Sequence, residues 1–250
     1  ERGFMMNPII QSLFDRKSCR IFEDKEISQE ERKLILEACM QAPSAGNQQM
    51  YTIIDVQDKK LQETLSKTCD NQSFINQAKM VLIFCADFQK WYDLFSYENC
   101  NPRKPGVGDL LLATTDATIA AQNAVVAAES LGIGSCYIGD ILEQHDLHRK
   151  LLNLSEYVVP VCMLVLGYPA NDHFKRQKPK RCQLEDIVCV NQYHRKDKQE
   201  LKNMFDHKAG NKTLNEWATA FCKRKYNSDF SQEMTKSVQK YIDQFKSEAD

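Results

Sequence analysis

A short basic segment near the N-terminus carries the residues with the clearest chemistry. Within DRKSCRIF, at 15–22, two arginines flank a hydroxyl: Arg16, Ser18 and Arg20. Side chains of an extended chain alternate between two faces, so these three would project to the same side. Arginine donates hydrogen bonds in a fixed fork and serine adds a neutral donor, which together suit a phosphate dianion. A solvated basic surface has the same composition, and the segment alone does not separate the two interpretations.

A second segment, APSAGNQQ at 42–49, offers groups that could bind a heterocycle. Ser44 provides a hydroxyl, Gly46 a flexible backbone, and Asn47 and its neighbours Gln48 and Gln49 provide amides. Amides both donate and accept hydrogen bonds, as the edge of a flavin or a nucleotide base requires. PSAGN is equally typical of an ordinary loop. Taken together, the two segments are suited to hold a phosphate and a heterocycle.

The composition is that of a globular protein. With 250 residues, 42% hydrophobic and 27% charged, the chain suits one domain or one domain with an appendage. The formal net charge of −1 provides no overall field for nucleic acid or an anionic membrane. The N-terminus shows no signal peptide and no run approaches 18 uninterrupted apolar residues, so we expect a soluble, cytoplasmic protein.

The cysteines and histidines predict no metal centre. The ten cysteines form no CxxC pair and have no histidine at zinc spacing, and several, such as Cys85 and Cys162, lie in apolar runs. They are typical of small core residues in a reducing compartment. His145 and His148 lie apart from every motif, and we expect both on the surface of a helix. The sequence therefore identifies no acid–base catalyst.

Capping signals and periodicity predict the elements that would carry these segments. Asn7 and Pro8 open a helix to about residue 14, and Ser28 with Glu31 forms a capping box for a second helix that ends at Pro43. Helical spacing predicts a buried face of this second helix from Leu34, Ile35, Ala38, Cys39 and Ala42.

Further along, strand-forming residues predict β-strands at 51–56, 80–86 and 158–167, the second of them buried on both faces. Helices are predicted at 59–68, 72–79 and 110–131, the last buried almost all round. Residues 88–109 are less regular and carry Trp91, Tyr92, Phe95 and Tyr97, which fits either a lid over a flat ligand or a short helix packed on the surface.

Three of the nine glycines cluster in LGIGSCYIGD, at 131–140, without forming a dinucleotide fingerprint. That motif needs a strand before it and a helix that begins within it, whereas here a helix precedes Gly132 and a short strand follows. Asp140 with Glu143 resembles another capping box and predicts a helix to about residue 152. Gly139 would then lie where backbone N–H groups at a helix start are free for a ligand, or it would serve only as a turn.

Two later regions have open interpretations. KRQKPKR, at 175–181, is either a solvated loop or a second cationic cluster that completes a phosphate site or lies near the N1/C2-carbonyl edge of a flavin. The tail from residue 195 carries aromatic residues among many charges. Its amphipathic helices must pack on the domain or on a second subunit.

The order of these motifs resembles the FMN-dependent nitroreductase family. RKSCRIF, APSAGNQQ, LGIGSCYIGDI, VLGYP with KPKR and LEDIV, and the tail WATAFCKRKYNSDFSQEM follow one another as they do there. The resemblance implies an α+β, three-layer sandwich whose mainly antiparallel central sheet is flanked by helices, in an intertwined homodimer. It implies an FMN-binding domain at 7–193 and a C-terminal helical extension at 194–250.

The resemblance also implies roles for particular residues. Arg16, Ser18 and Arg20 would bind the FMN phosphate with help from Lys180 or Arg181, and Lys17 would meet the flavin through its backbone. Ser44 and Asn47 would approach from the other subunit. The stretch against the flavin ring would consist of Tyr137, Ile138 and Gly139. Two motifs depart from the family pattern: Gln49-Met50-Tyr51 replaces Pro-Trp after the loop, and KPKR replaces Lys-Pro-Arg.

The implied activity is an FMN-dependent, ping-pong transfer of hydride from NADPH or NADH to flat acceptors such as nitroaromatics, quinones or flavins. No side chain is assigned a catalytic role because the flavin performs the chemistry. Two alternatives keep the fold: reductive dehalogenation or flavin degradation by the same cofactor, and a non-catalytic flavin-binding protein.

Overall fold

The structure, a computed structural model, describes residues 7–246. The strands are β1 (Tyr51–Asp55), β2 (Met80–Asp87), β3 (Gly134–Ile138) and β4 (Val158–Gly167). The helices are α1 (Pro8–Asp15), α2 (Gln29–Met40), α3 (Lys59–Thr68), α4 (Ser73–Gln77), α5 (Gln89–Tyr97), α6 (Val107–Ser130), α7 (His145–Leu151), α8 (Asn171–Lys175), α9 (Leu184–Ile187), α10 (Lys198–Ala209), α11 (Leu214–Phe221) and α12 (Asp229–Asp243).

The four strands form one antiparallel sheet in the order β1-β2-β4-β3. Every residue of β2 is buried, as its apolar run at 80–86 predicts for a central strand. One face of the sheet packs against α6 and α2 in a core that includes Phe84 and Leu164. The other face carries a second apolar cluster that includes Leu65 and Ile83. The predicted α+β architecture with an antiparallel sheet between helices is confirmed.

Local capping chemistry fixes the first two helices as predicted. The Asn7 side chain accepts a hydrogen bond from Ile10 N at 3.0 Å, and Ser28 and Glu31 form a reciprocal capping box. The predicted buried face of α2 is wrong at Leu34, which is 52% exposed. The buried stripe contains Ile35 and Cys39, and since neighbouring helical residues differ by about 100°, Leu34 turns towards solvent.

Helix α6 is the central helix of the fold. By length and composition it could cross a membrane, but Ala117, Ala121 and Val125 are fully buried within the hydrophobic core. This is the position of a core helix. Gly132 follows it at a φ of 73°, where a side chain would be strained, so it ends the helix as predicted.

The aromatic segment at 88–109 begins with the packed helix α5. The Trp91 indole donates to the Gln48 carbonyl at 2.9 Å, and Tyr92 meets Tyr157 edge-on with ring centroids 5.4 Å apart. The structure thus supports the packed-helix interpretation for Trp91 and Tyr92, while Tyr97 stays exposed.

The helix predicted from residue 140 to 152 is wrong in its first part. A 3-10 turn occupies Asp140–Leu142, Gln144 takes a left-handed φ of 51°, and only then does α7 begin. The predicted surface positions of His145 and His148 are also wrong, because both are buried. His148 satisfies both ring nitrogens, with Ile141 O at 3.0 Å and Thr68 Oγ1 at 2.8 Å.

Among the described residues, the contacts divide the chain into two units, 7–176 with 233–246, and 177–232. Within the first unit the end of the tail packs on the domain, since Tyr241 and Phe245 are buried and Phe245 meets Tyr157 at 5.3 Å. Within the second unit Phe205, Trp217 and Phe221 stack in a row. The domain limits at 7–193 and 194–250 stay a prediction.

Candidate functional site

The basic segment lies against β3 and the end of β4. Cys19 N donates to Ser135 O at 2.8 Å, and Glu23 N donates to Tyr168 O at 2.8 Å. The approach is close: a Cβ added at Gly134 would lie 2.7 Å from Cys19 Cβ, so glycine is required there. Backbone hydrogen bonds and the close approach at Gly134 therefore fix the position of this segment.

Side chains of the segment alternate as predicted. Cys19 is fully buried, while Ser18 and Arg20 are exposed. Burial raises the pKa of the Cys136 thiol on β3; the charge of Arg20, a hydrogen bond from Ser18 and the charge of Arg16 oppose that shift. All three residues predicted to bind phosphate therefore lie close enough to this thiol to act on its pKa.

The Arg16 guanidinium has spare donor capacity. Its Nε is buried and has no hydrogen-bond partner among the described residues. Buried polar atoms in native proteins are nearly always paired, so an unpaired guanidinium N–H beside a second arginine marks a place for an acceptor. The arrangement is suited to an anion.

Lys17 turns away from this cluster. Its ammonium group donates to the carbonyls of Phe174, at 3.5 Å, and of Arg176. The side chain therefore holds the end of α8. The predicted contact of its backbone with a flavin stays a prediction.

An open concavity of about 510 Å³ lies beside the cluster. It is lined by Thr118, Ile119, Gln122, Tyr137, Val161 and Cys162. Burial raises the pKa of Tyr137, and the charge of Arg16 opposes this rise. Arg16 is therefore near the side of the concavity that Tyr137 forms. The lining is mostly apolar with one amide, and the Tyr137 hydroxyl donates to Gln122 Oε1 at 3.4 Å. Such a surface can accept a flat ring.

The three residues predicted to meet the ring occupy different environments. Tyr137 is 36% exposed at the border of the concavity, and the Ile138 side chain is buried in the core. Gly139 is exposed, and an added Cβ would meet nothing within 4 Å, so its backbone can be approached. The sequence analysis did not assign Gln122 to the site, although a polar residue on an otherwise apolar helix was a usable signal.

The loop of Ser44 and Asn47 is positioned by a buried carboxylate on α6. Asp116 on α6 accepts from Ser44 Oγ at 2.6 Å, from Ala45 N at 3.1 Å and from Met50 N at 3.1 Å. Asn47 is exposed with a left-handed φ of 55°. The loop is therefore held in a defined, strained conformation that presents its tip.

Lys180 and Arg181 belong to the second unit, 177–232, and both are exposed. Their contribution to a phosphate site stays a prediction.

Acidic residues gather behind the turn that carries Gly139. Burial and, to a lesser extent, the carboxylates of Asp140, Glu233 and Asp70 together raise the pKa of Glu143 to about 7. Its Oε1 is buried without a hydrogen-bond partner in the described part of the chain. Glu233 itself accepts from Gln144 N at 3.1 Å, so this cluster joins α12 to the turn.

We expect this cluster to make the protein less stable as the pH rises from about 4.5 to 7. Over that range folded Glu143 keeps a proton that the unfolded chain has lost, so the free energy of unfolding falls. Glu143→Gln should remove most of this slope and add roughly 2 kcal/mol of stability at pH 8. Urea unfolding at several pH values measures both effects. Glu37→Gln, at an exposed position of α2, is the control. If the free energy of unfolding depended on pH equally in the two variants, Glu143 would not be the source of the slope.

The chain is similar in sequence to proteins of a known family. A sequence model of the Nitroreductase family matches residues 13–168. The chain is 38% identical over 179 residues to the FMN reductase (NAD(P)H) of Bacillus subtilis, covering 69% of this chain and 70% of that protein. It is 34% identical over 198 residues to the oxygen-insensitive NADPH nitroreductase of Salmonella typhimurium, covering 78% and 79%.

The fold is similar to solved structures as well. The structure of NfrA2 from B. megaterium matches with a TM-score of 0.77 and 32% identity, and it covers 93% of this chain and 98% of that chain. The similarity therefore extends beyond the segment that the family model matches.

Proposed function

Because this chain belongs to the nitroreductase family, we propose that it is an FMN-dependent oxidoreductase which takes hydride from NAD(P)H and reduces flat acceptors such as nitroaromatics, quinones or flavins. Relatives named as an FMN reductase and an NADPH nitroreductase support this activity. The observation in this chain that carries the proposal is that Arg16, Ser18 and Arg20 all act on Cys136, while Arg16 also acts on Tyr137, which lines an open, mostly apolar concavity.

The residues present fit FMN. Arg16, with its unpaired Nε, would hold the phosphate together with Ser18 and Arg20, and Lys180 or Arg181 would add a further charge. Tyr137 and the Gly139 backbone would border the ring, while the buried Ile138 supports them from behind. Ser44 and Asn47 would reach the ring from a second copy of the chain, so we propose a homodimer.

When bound, FMN supplies the chemistry of hydride acceptance and electron delivery. The protein's part is positioning. The concavity beside Tyr137 is open on one side, so reductant and acceptor would occupy it in turn, as ping-pong turnover requires. The arginines hold positive charge near the site and thereby favour an anionic cofactor. We also propose a cytoplasmic location, since all ten cysteines are free thiols.

Anaerobic titration tests this function. The purified protein is loaded with FMN, and NADPH or NADH is added while the flavin absorbance is followed. We expect bleaching with at least one reductant and return of the absorbance when a quinone or nitroaromatic is added. Failure to bind FMN would overturn the proposal. Tight FMN binding without reduction by either nucleotide would indicate a non-catalytic flavin-binding protein instead.

A further inference from the structure

The open concavity beside Tyr137 lies where β3 ends. Ile138 pairs with Met163 in the antiparallel register, and this is the last pair between β3 and β4. The next residue on β4 is Cys162, which lines the concavity, and the next residue on the other side is Gly139, where the chain leaves the sheet. The concavity therefore adjoins the turn that is proposed to border the flavin ring.

The six residues that line the concavity include no charged side chain, and most of their polar groups are already bonded. Thr118 Oγ1 donates to Thr114 O at 2.8 Å, and the Tyr137 hydroxyl donates to Gln122 Oε1 at 3.4 Å. The Gln122 side chain is exposed, and its Nε2 has no hydrogen-bond partner among residues 7–246. Gln122 is therefore the lining residue whose N–H donors are left for a ligand.

Cys162 adds no charge and no reactive group to this surface. Burial raises the pKa of its thiol to about 12, so the thiol stays protonated at neutral pH. A protonated thiol is a weak hydrogen-bond donor and a poor nucleophile. A flat molecule in the concavity would thus be held by apolar contact and by the Gln122 amide.

We propose that Gln122 is a specificity-determining residue of the concavity, whose Nε2 donates to an oxygen at the edge of a neutral flat ring. Tyr137 is the residue which positions the amide, because its hydroxyl holds Oε1 and leaves Nε2 for the ligand. The inference rests on the proposed function, since the ring would be an electron acceptor next to the flavin. A ring without an edge oxygen would cover the amide without replacing its bonds to water, so the site would discriminate against it.

Comparison of duroquinone with durene tests the role of Gln122, because the two molecules share a ring with four methyl groups and differ in two carbonyl oxygens. Equilibrium dialysis against the FMN-loaded protein measures both affinities, and without a reductant the quinone is bound but not consumed. Gln122→Leu, which keeps the size of the side chain and removes the donor, should weaken duroquinone binding about fivefold and should not weaken durene binding.

Gln239→Leu is the matched control. It makes the same replacement at an exposed position of α12, outside the concavity, and should change neither affinity more than about twofold. Durene binding by Gln122→Leu is a second control, because it shows that the concavity of the variant is intact.

The positioning role of Tyr137 has its own readout. Tyr137→Phe keeps the ring and removes the hydroxyl that holds Gln122 Oε1. It should weaken duroquinone binding about twofold in the native chain and add nothing in the Gln122→Leu background, because both changes act on the same contact. Effects that multiply independently would contradict a positioning role.

The outcomes separate the inference from the proposed function. If the unaltered protein binds no FMN, the proposed function fails, and dialysis of the FMN-free protein decides on Gln122 by the same comparison. If the protein binds FMN but Gln122→Leu behaves like Gln239→Leu, or weakens duroquinone and durene equally, the function stands and the inference on Gln122 is overturned. Native protein that binds duroquinone no more tightly than durene would overturn it as well.

Discussion

The double variant Arg16→Ala/Arg20→Ala is expected to bind FMN about 1,000-fold more weakly than the native chain. A hydrogen bond to a charged group contributes about 1.5–3 kcal/mol, and each arginine would lose at least one such bond to the phosphate. At 1.4 kcal/mol for each factor of ten, two such losses reach three orders of magnitude. Riboflavin, which has no phosphate, should lose far less.

The single variants refine this expectation. Arg16→Ala should have the larger effect, because its unpaired Nε is buried and its bond to phosphate is shielded from water. Arg20 is exposed and also lies 5.9 Å from the centre of the Phe74 ring. Lys33→Ala on the exposed face of α2 serves as control. Double-variant affinity within tenfold of that control would contradict a phosphate role for this pair.

Replacing Asp116 by alanine is expected to reduce the free energy of unfolding by about 3 kcal/mol. The change leaves the Ser44 hydroxyl and the amide groups of Ala45 and Met50 without their acceptor, and Met50 is fully buried. Each buried donor left unsatisfied costs roughly 1–3 kcal/mol. Asp116→Asn keeps one acceptor oxygen and should have an intermediate effect.

Urea unfolding measures this loss through a lower midpoint at an unchanged slope. Asp172→Ala, which removes an exposed carboxylate, should leave the midpoint nearly unchanged. If Asp116→Ala behaved like that control, the Ser44 loop would not depend on this carboxylate. The FMN affinity of the folded variant should also fall, because the same loop is proposed to reach the flavin.

Much of the fold was predictable from local chemistry. The Asn7 and Ser28 caps, the apolar run of β2 and the long α6 each express a preference contained in a few neighbouring residues. The alternation of the basic segment is also local: it predicts Ser18 and Arg20 on one face, and in the structure both are exposed while Cys19 between them is buried. These predictions needed no knowledge of distant contacts.

The remainder depends on partners far away in the sequence. Ser44 meets Asp116, which lies 72 positions later, and His148 is buried because Thr68 and Ile141 satisfy its ring. The sequence does not distinguish Lys17 from the other residues of the basic motif, because its partners, the carbonyls of Phe174 and Arg176, lie far along the chain. The spacing of residues in the sequence cannot predict such contacts, because they arise from tertiary packing.

A crystal structure of the protein with bound FMN tests the central claim most directly. We expect a phosphate oxygen at about 3 Å from Arg16 Nε, with Ser18 Oγ and the Arg20 guanidinium on the same group and the flavin ring beside Tyr137. A phosphate bound elsewhere, with Arg16 Nε still unpaired, would contradict the account.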